Sequence, residues 1–139
     1  MTIRLNPYIA FSDDKARPAM EFYHSVFGGK LEVNTFGEAG APDPGLADKV
    51  MHAMLVTEGG LALMGADSPP GLDHVPGNNI AISLSGEDGE VLRGWWARLA
   101  DGGTVSTPLE KQMWGDEFGT CTDRFGVEWM VNIVVPHAS

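Results

Sequence analysis

Apolar and polar residues alternate with a period of two from Leu5 to Phe11. This predicts a strand with Asn6, Tyr8 and Ala10 on one face and Leu5, Ile9 and Phe11 on the other. The period then lengthens: Ala16, Met20, Tyr23 and Phe27 recur every three or four residues and predict a helix with one apolar stripe. Ser12-Asp13-Asp14 supplies N-cap chemistry in front of it, and Pro18 falls in or near the first turn, where a missing N–H is tolerated. Gly28-Gly29 ends the helix. Lys30 to Phe36, Val50 to Thr57 and Leu61 to Ala66 read as three further strands. A Gly/Pro/Ala/Asp-rich loop precedes the second of these, and Glu58-Gly59-Gly60 forms a hairpin turn before the third.

The same order then recurs. Asn79 to Ser85 reads as a strand, and Glu87 to Ala100 as a helix with Val91, Leu92, Trp95, Trp96 and Leu99 on its stripe. Thr104 to Pro108 reads as a strand, Glu110 to Thr122 as a loop leading into a strand, and Val127 to Val134 as the last strand. Ser12 and Ser85, Phe22-Tyr23 and Trp95-Trp96, and Gly28-Gly29 and Gly102-Gly103 correspond at offsets of 73, 73 and 74 residues. A Gly-led apolar strand closes each half, from Gly60 to Met64 and from Gly126 to Met130. A repeat of this length means two copies of one supersecondary unit. The expectation is a single α+β domain built from two βαβββ modules, roughly 1–67 and 78–139. A Pro/Gly-rich linker containing Pro69-Pro70-Gly71 and Pro76-Gly77 joins them. One helix covers only one face of a sheet, so the other face of each must bury against something or bind something.

Composition narrows the classes. At 139 residues, 43% of them apolar, the chain suits one globular domain. It has no apolar run long enough for a membrane span and no signal-peptide pattern at Met1 to Pro7. The single cysteine, Cys121, excludes an internal disulfide framework and a multi-cysteine metal site. The net charge of −10, with scattered Lys and Arg, argues against nucleic acid and anionic membranes as partners. These features make a soluble cytoplasmic protein the default expectation. The 18 glycines include no G-x-G-x-x-G turn, P-loop or G-x-S-x-G elbow, and H-E-x-x-H is absent.

The chain resembles the vicinal oxygen chelate superfamily, which includes glyoxalase I, extradiol dioxygenases and bleomycin resistance proteins, and within it the PhnB-like branch. The resemblance rests on Asn6-Pro7-Tyr8-Ile9-Ala10-Phe11, on Glu21-Phe22-Tyr23 with Phe27-Gly28-Gly29, and on Met51-His52-Ala53 and Met64-Gly65-Ala66-Asp67. It continues with Trp114-Gly115 through Phe118-Gly119, and with Thr122-Asp123-Arg124-Phe125-Gly126-Val127 leading to Trp129-Met130. It implies paired modules whose sheets curl around a cavity, commonly in a homodimer. In glyoxalase-type members it also implies a divalent metal held by His, Glu or Gln on the first and last strand of each module. Carried onto this chain, those positions fall near Pro7 or Tyr8 (with Asn6 an alternative), at Met64, at Asn79, and at Met130 with Glu128 on its face. Thioethers and neutral amides are poor ligands for such ions. The expectation is therefore a cavity without the usual metal and without a cofactor. A non-standard divalent-metal site would have to recruit His52 and Glu128, with Tyr8 as a third ligand.

Each candidate carries two readings. His52, sharing a strand face with Met54 and Val56, is a general base or orienting donor in the cavity, or a half-exposed strand histidine. Tyr8 offers a hydroxyl to a ligand, or is an ordinary strand tyrosine with a wet tip. Trp114 stacks on a flat ligand, or is a packing lid or dimer contact. Glu128 is a cavity base, or part of an exposed edge. Cys121 reads as a small buried hydrophobe, and Asp123-Arg124 as a turn with a local ion pair. His24 reads as a surface residue, while His74 and His137 lack an evident partner. The preferred function is a homodimeric, PhnB-like binding protein for a small, flat or aromatic molecule. Its apolar pocket between the modules would be lined by Tyr8, His52, Met54, Met64, Asn79, Trp114, Glu128 and Met130. The alternative is a metal-dependent lyase or dioxygenase of the glyoxalase kind. A methyltransferase label attached to the PhnB-like branch finds no supporting glycine-rich cofactor turn.

Overall fold

The computed structural model describes residues 3–40, 43–69 and 74–135. The chain divides into two compact units, Met1–Pro76 and Gly77–Ser139. The first contains β1 (Tyr8–Phe11), α1 (Ala16–Phe27), β2 (Lys30–Thr35), β3 (Val50–Val56) and β4 (Ala62–Asp67). The second contains β5 (Ile82–Gly86), α2 (Gly89–Ala100), β6 (Thr104–Lys111), β7 (Glu117–Thr122) and β8 (Glu128–Ile133). The sheet orders are β1-β4-β3-β2 and β5-β8-β7-β6, so the second unit repeats the first strand for strand. In each, the opening strand lies parallel to the last and the other pairings are antiparallel. The α+β class and the two βαβββ modules are thus present. No described helix is long and apolar enough to cross a membrane.

Each helix covers one face of its own sheet. In the first unit Phe11, Ala53, Leu55 and Leu63 are buried against Ala16, Ala19, Met20, Tyr23 and Val26 of α1. Burying a Leu, Met or Tyr-sized side chain stabilises by about 1.5–3 kcal/mol, which makes this stripe the main reason α1 holds its place. In the second unit Trp129, Val131 and Ile133 are buried, and Leu92, Val131 and Ile133 form a core flanked by Leu84, Trp95, Trp96 and Leu109. On α2 only Leu92 and Leu99 are buried; Val91, expected on the stripe, is exposed.

The start of α1 departs from expectation. Ser12-Asp13-Asp14 does not cap it: the N-cap is Lys15, which makes no side-chain cap hydrogen bond. Asp13 and Asp14 instead take left-handed backbone angles (φ 55° and 58°), a region that Asp tolerates better than most residues. The helix is capped from a distance. The backbone N–H of Ala16 donates to Asp67 Oδ1 at 3.0 Å, and that of Val50 donates to Asp67 Oδ2 at 2.8 Å. Asp67, at the end of β4, is 5% exposed. Its charge sits at the positive end of α1, where the helix dipole favours it. The second helix is capped locally, by Asp88 Oδ1 accepting from the Val91 N–H at 3.2 Å.

Three boundaries shift. The first strand begins at Tyr8 because Pro7 has no N–H to donate, although its carbonyl still accepts from Met64 N at 3.0 Å. The strand expected from Asn79 begins at Ile82. Glu110 to Thr122, expected as a loop leading into a strand, contains a shorter loop: β6 runs on to Lys111 and pairs with β7 through a turn at Gln112 to Asp116. Pro108 read as a strand end. It sits in an edge strand, where a missing donor is tolerated, and a register shift between Thr107 and Glu110 absorbs it.

Candidate functional site

The face of each sheet turned away from its helix carries the candidate residues. In the first unit one rung runs Tyr8, Met64, Met54, Glu32 across β1, β4, β3 and β2, and the next places Ala10 beside Ala66 and His52 beside Asn34. The rings of Tyr8 and His52 reach across β4 and stack, with centroids 5.8 Å apart and planes 29° apart. Alanines at 62 and 66 flank Met64 on this face, so β4 offers little bulk to hinder that approach. Tyr8 is 54% exposed, while His52, Met54 and Met64 are half-buried. Two rings and two thioethers make a polarisable, largely apolar surface suited to a flat ligand, with the Tyr8 hydroxyl and the imidazole as polar handles.

The second unit's open face is chemically different. Its rungs run Ser83, Met130, Thr120 and Thr107, then Ser85, Asn132, Phe118 and Glu110, with Glu128 opposite Thr122 and Thr104 on the other side. Apart from Met130 and Phe118 this is a surface of hydroxyls, one amide and carboxylates. A depression of about 180 Å³ opens on it, lined among others by Ser106, Thr120, Thr122, Glu128 and Met130. Trp114 sits in the β6–β7 turn, 54% exposed, packed edge-on against Phe118 with centroids 6.0 Å apart. Asp116 fixes that turn: its carboxylate accepts from Asn132 Nδ2 at 3.1 Å and from the Val135 N–H at 3.2 Å.

The fold therefore gathers Tyr8, His52, Met54 and Met64 on one face, and Glu128 and Met130 on another with Trp114 at the turn. Asn79 stands apart. It is exposed and precedes β5, and the residue level with Met130, matching Tyr8 level with Met64, is Ser83. The sequence reading passed over Ser83, Ser106, Thr120 and Thr122. The spacing of Thr120 and Thr122 is the available signal, obscured because nothing local marks where the loop from Glu110 gives way to its strand. The level pairs on the first and last strands of the two units are thus Tyr8 with Met64 and Ser83 with Met130. A phenol, a hydroxyl and two thioethers do not fit Zn²⁺, Ni²⁺ or Fe²⁺. Among the described residues no three His, Cys, Asp or Glu side chains are grouped to hold an ion.

The remaining polar groups are mostly structural. Asp123, 3% exposed, accepts from the N–H groups of Phe125 and Val127 through Oδ1 and from the Trp129 indole through Oδ2. Arg124 in the same turn donates to the Asp101 carbonyl at 2.9 Å and reaches its carboxylate at 3.4 Å. Burial pushes the Cys121 thiol up to about 11, with the Asp123 charge adding to the effect, so it is an inert core group. His24 is exposed and places Nε2 3.0 Å from the Gly29 carbonyl. His74, expected without a partner, places Nδ1 3.3 Å from Ser68 Oγ. His137 and the linker residues Pro70 and Gly71 lie outside the described residues.

Comparison with known proteins identifies the arrangement. The family model for the glyoxalase/bleomycin resistance protein/dioxygenase superfamily matches residues 6–131. Protein YjdN of Escherichia coli is 27% identical over 144 residues, covering 94% of this chain and 95% of its own. The crystal structure of PA1353 from Pseudomonas aeruginosa is similar at 36% identity and a TM-score of 0.81, covering 95% of this chain and 98% of that one. The PhnB protein of Bacillus cereus, which bears a 3-demethylubiquinone-9 3-methyltransferase name, shares the fold at 23% identity and a TM-score of 0.75, over 95% and 100% of the two chains.

Proposed function

The chain belongs to the glyoxalase/bleomycin resistance protein/dioxygenase superfamily, and from that premise we propose that it is a PhnB-like small-molecule-binding protein. On this reading it holds a flat, aromatic ligand against the open face of its first sheet without the divalent ion of glyoxalase-type members. The observation that carries the reading is the stacked Tyr8–His52 pair beside Met54 and Met64. Where a metalloenzyme would need hard or borderline donors, this surface offers ring faces and thioethers. Such groups gain by burying apolar ligand area at about 25 cal/mol per Å², while His52 and Tyr8 retain hydrogen-bonding atoms to orient a polar substituent. The proposed working form is a cytoplasmic homodimer, which light scattering would check. The methyltransferase name of the B. cereus relative is not carried over, because nothing in this chain resembles a glycine-rich cofactor turn.

The test is a thermal-shift series with neutral and charged aromatic compounds, run beside metal analysis of protein purified without chelator. A ligand that binds only the native state raises Tm with concentration. The expected result is an aromatic-dependent shift that falls at least severalfold in Tyr8→Ala and His52→Ala, with no stoichiometric metal. Stoichiometric Zn, Ni, Mn or Fe that is lost in His52→Ala or Glu128→Ala would overturn the reading in favour of a non-standard metalloenzyme.

A further inference from the structure

The second unit carries a polar depression that an aromatic and thioether surface does not call for. Its floor and walls include Thr120, Thr122, Ser106, Met130 and Ala81, with Glu128 among them. Thr122 stands directly opposite Glu128 in the β7–β8 ladder, and Thr120 stands opposite Met130 one step along the same face. Directly opposed residues on one sheet face hold their Cβ atoms about 5 Å apart, so a single ligand group can touch both. Among the described residues the Glu128 carboxylate has no hydrogen-bond or ion-pair partner, whereas Glu117 at the far end of β7 is paired with Arg93. No Lys, Arg or His lines the depression, and the whole chain carries a net charge of −10.

From this we infer that the depression is a binding site for a protonated amine carried on a small molecule. A primary ammonium presents three donors and one positive charge. The site presents a carboxylate and two threonine hydroxyls as acceptors, with Met130 and Ala81 left for the apolar arm that carries the amine. A carboxylate or phosphate ligand could accept from the hydroxyls but would face the Glu128 carboxylate and the net negative field. A neutral alcohol would use the hydroxyls but leave the carboxylate uncompensated as it loses water, and hydrogen bonds to a charged partner are about twice as strong as neutral ones. A volume near 180 Å³ corresponds to several waters at about 30 Å³ each, enough for an ammonium and a short arm. The inference rests on the small-molecule reading above and adds a cationic ligand class for the second unit.

The experiment compares benzylamine, benzyl alcohol and benzoate by thermal shift and calorimetry at pH 7.5 on the full chain. It uses wild type, Glu128→Gln and Thr122→Val, with near-UV circular dichroism to confirm that each variant keeps its packing. The expected order in wild type is benzylamine above benzyl alcohol, with benzoate weakest. Glu128→Gln should lower benzylamine affinity at least tenfold and bring it level with the alcohol, and Thr122→Val should lower it severalfold. Glu128→Gln changes the net charge by only one unit, so non-specific attraction to an acidic chain would survive it. Equal binding of amine and alcohol in wild type, or benzylamine affinity unchanged within twofold in Glu128→Gln, would overturn the amine site and leave the aromatic-binding reading standing. Absence of binding by all three probes would overturn the amine site too, and the Tyr8 and His52 variants with the wider aromatic series then judge the function separately.

Discussion

The two units share a backbone plan and differ in almost every polar residue that fixes it. Gly60 and Gly126 close equivalent turns at φ 90° and 88°. In each, the glycine N–H returns to the residue three back, Thr57 or Asp123, at 3.0 Å. The side chains of those residues do the same work, Thr57 Oγ1 accepting from Leu61 N at 3.0 Å and Asp123 Oδ1 from Val127 N at 3.1 Å. Asp123 has a second acceptor to spare, and Trp129, standing where the first unit has Leu63, supplies its indole N–H. The helix caps are exchanged in the opposite sense. The first unit buries Asp67 at the end of β4 to cap α1, while the second has apolar Ile133 at the matching place and caps α2 with Asp88. Duplication has kept geometry where the backbone itself is constrained and let the anchors move wherever a different side chain satisfies the same N–H.

The largest expected effect tests the constrained part. Gly29 and Gly103 are the second glycines of the two helix stops, and a Cβ at either would overlap a carbonyl oxygen, Val56 O or Thr122 O, and press on Cα of Thr57 at 2.7 Å or of Asp123 at 2.9 Å. Those atoms are backbone at the ends of β3 and β7 and cannot readily step aside. Gly29→Ala and Gly103→Ala should each cost more than about 3 kcal/mol, while Gly60→Ala and Gly126→Ala, with open space around them, should cost about 1 kcal/mol for their positive φ alone. Urea unfolding of the four variants would measure this. A large penalty in one copy and a small one in the other would break the equivalence of the units.

The next effect tests the anchors that differ. Asp67→Ala strands two buried N–H groups and removes a charge from the start of α1, whereas Asp88→Ala exposes one N–H at a surface where water replaces the cap. Unsatisfied buried donors cost about 1–3 kcal/mol each and an exposed cap about 1 kcal/mol. Denaturant midpoints should therefore fall several times further for Asp67→Ala than for Asp88→Ala. Equal losses would show that the distant cap does no more than a local one.

These contrasts also show what the sequence could disclose. The repeat, the helices and the alternation of Tyr8, His52, Met54 and Met64 with buried neighbours were legible, because periodicity and Gly-Gly stops are local signals. The cap on α1 was not. Asp67 lies 51 residues from the N–H it serves, and Ser12-Asp13-Asp14 offered a plausible local answer. The hydroxylic face of the second sheet was lost for a related reason. Glu110 to Thr122 reads as a loop leading into a strand, and nothing local fixes where that strand begins or that Thr122 pairs with Glu128. Asn79 comes from the resemblance to the family pattern, whereas the residue level with Met130 is Ser83; register is a property of the pairing, not of one strand.

The smallest effect sharpens the comparison of the helices. Leu55 and Cys121 occupy matching places beneath α1 and α2, opposite Leu63 and Trp129 respectively, and both are almost fully buried. Burial holds the Cys121 thiol near 11, about two units above the ordinary value, so at pH 8 the native state carries about a hundredfold less thiolate than the unfolded chain. Because the folded value is the raised one, the contribution of this group to stability is complete below about pH 9 and is lost as pH rises through 11. Labelling by a thiol reagent at pH 8 thus reports opening of the segment. Leu55→Cys in a Cys121→Ser background places the same probe in the first unit. Five residues of α1 are buried against two of α2, so the tighter lid should make Leu55→Cys react more slowly than Cys121, by severalfold rather than by orders of magnitude. A faster reaction at Leu55→Cys would mean that helix burial does not set local opening in this fold, and the difference in cover between α1 and α2 would lose its energetic meaning.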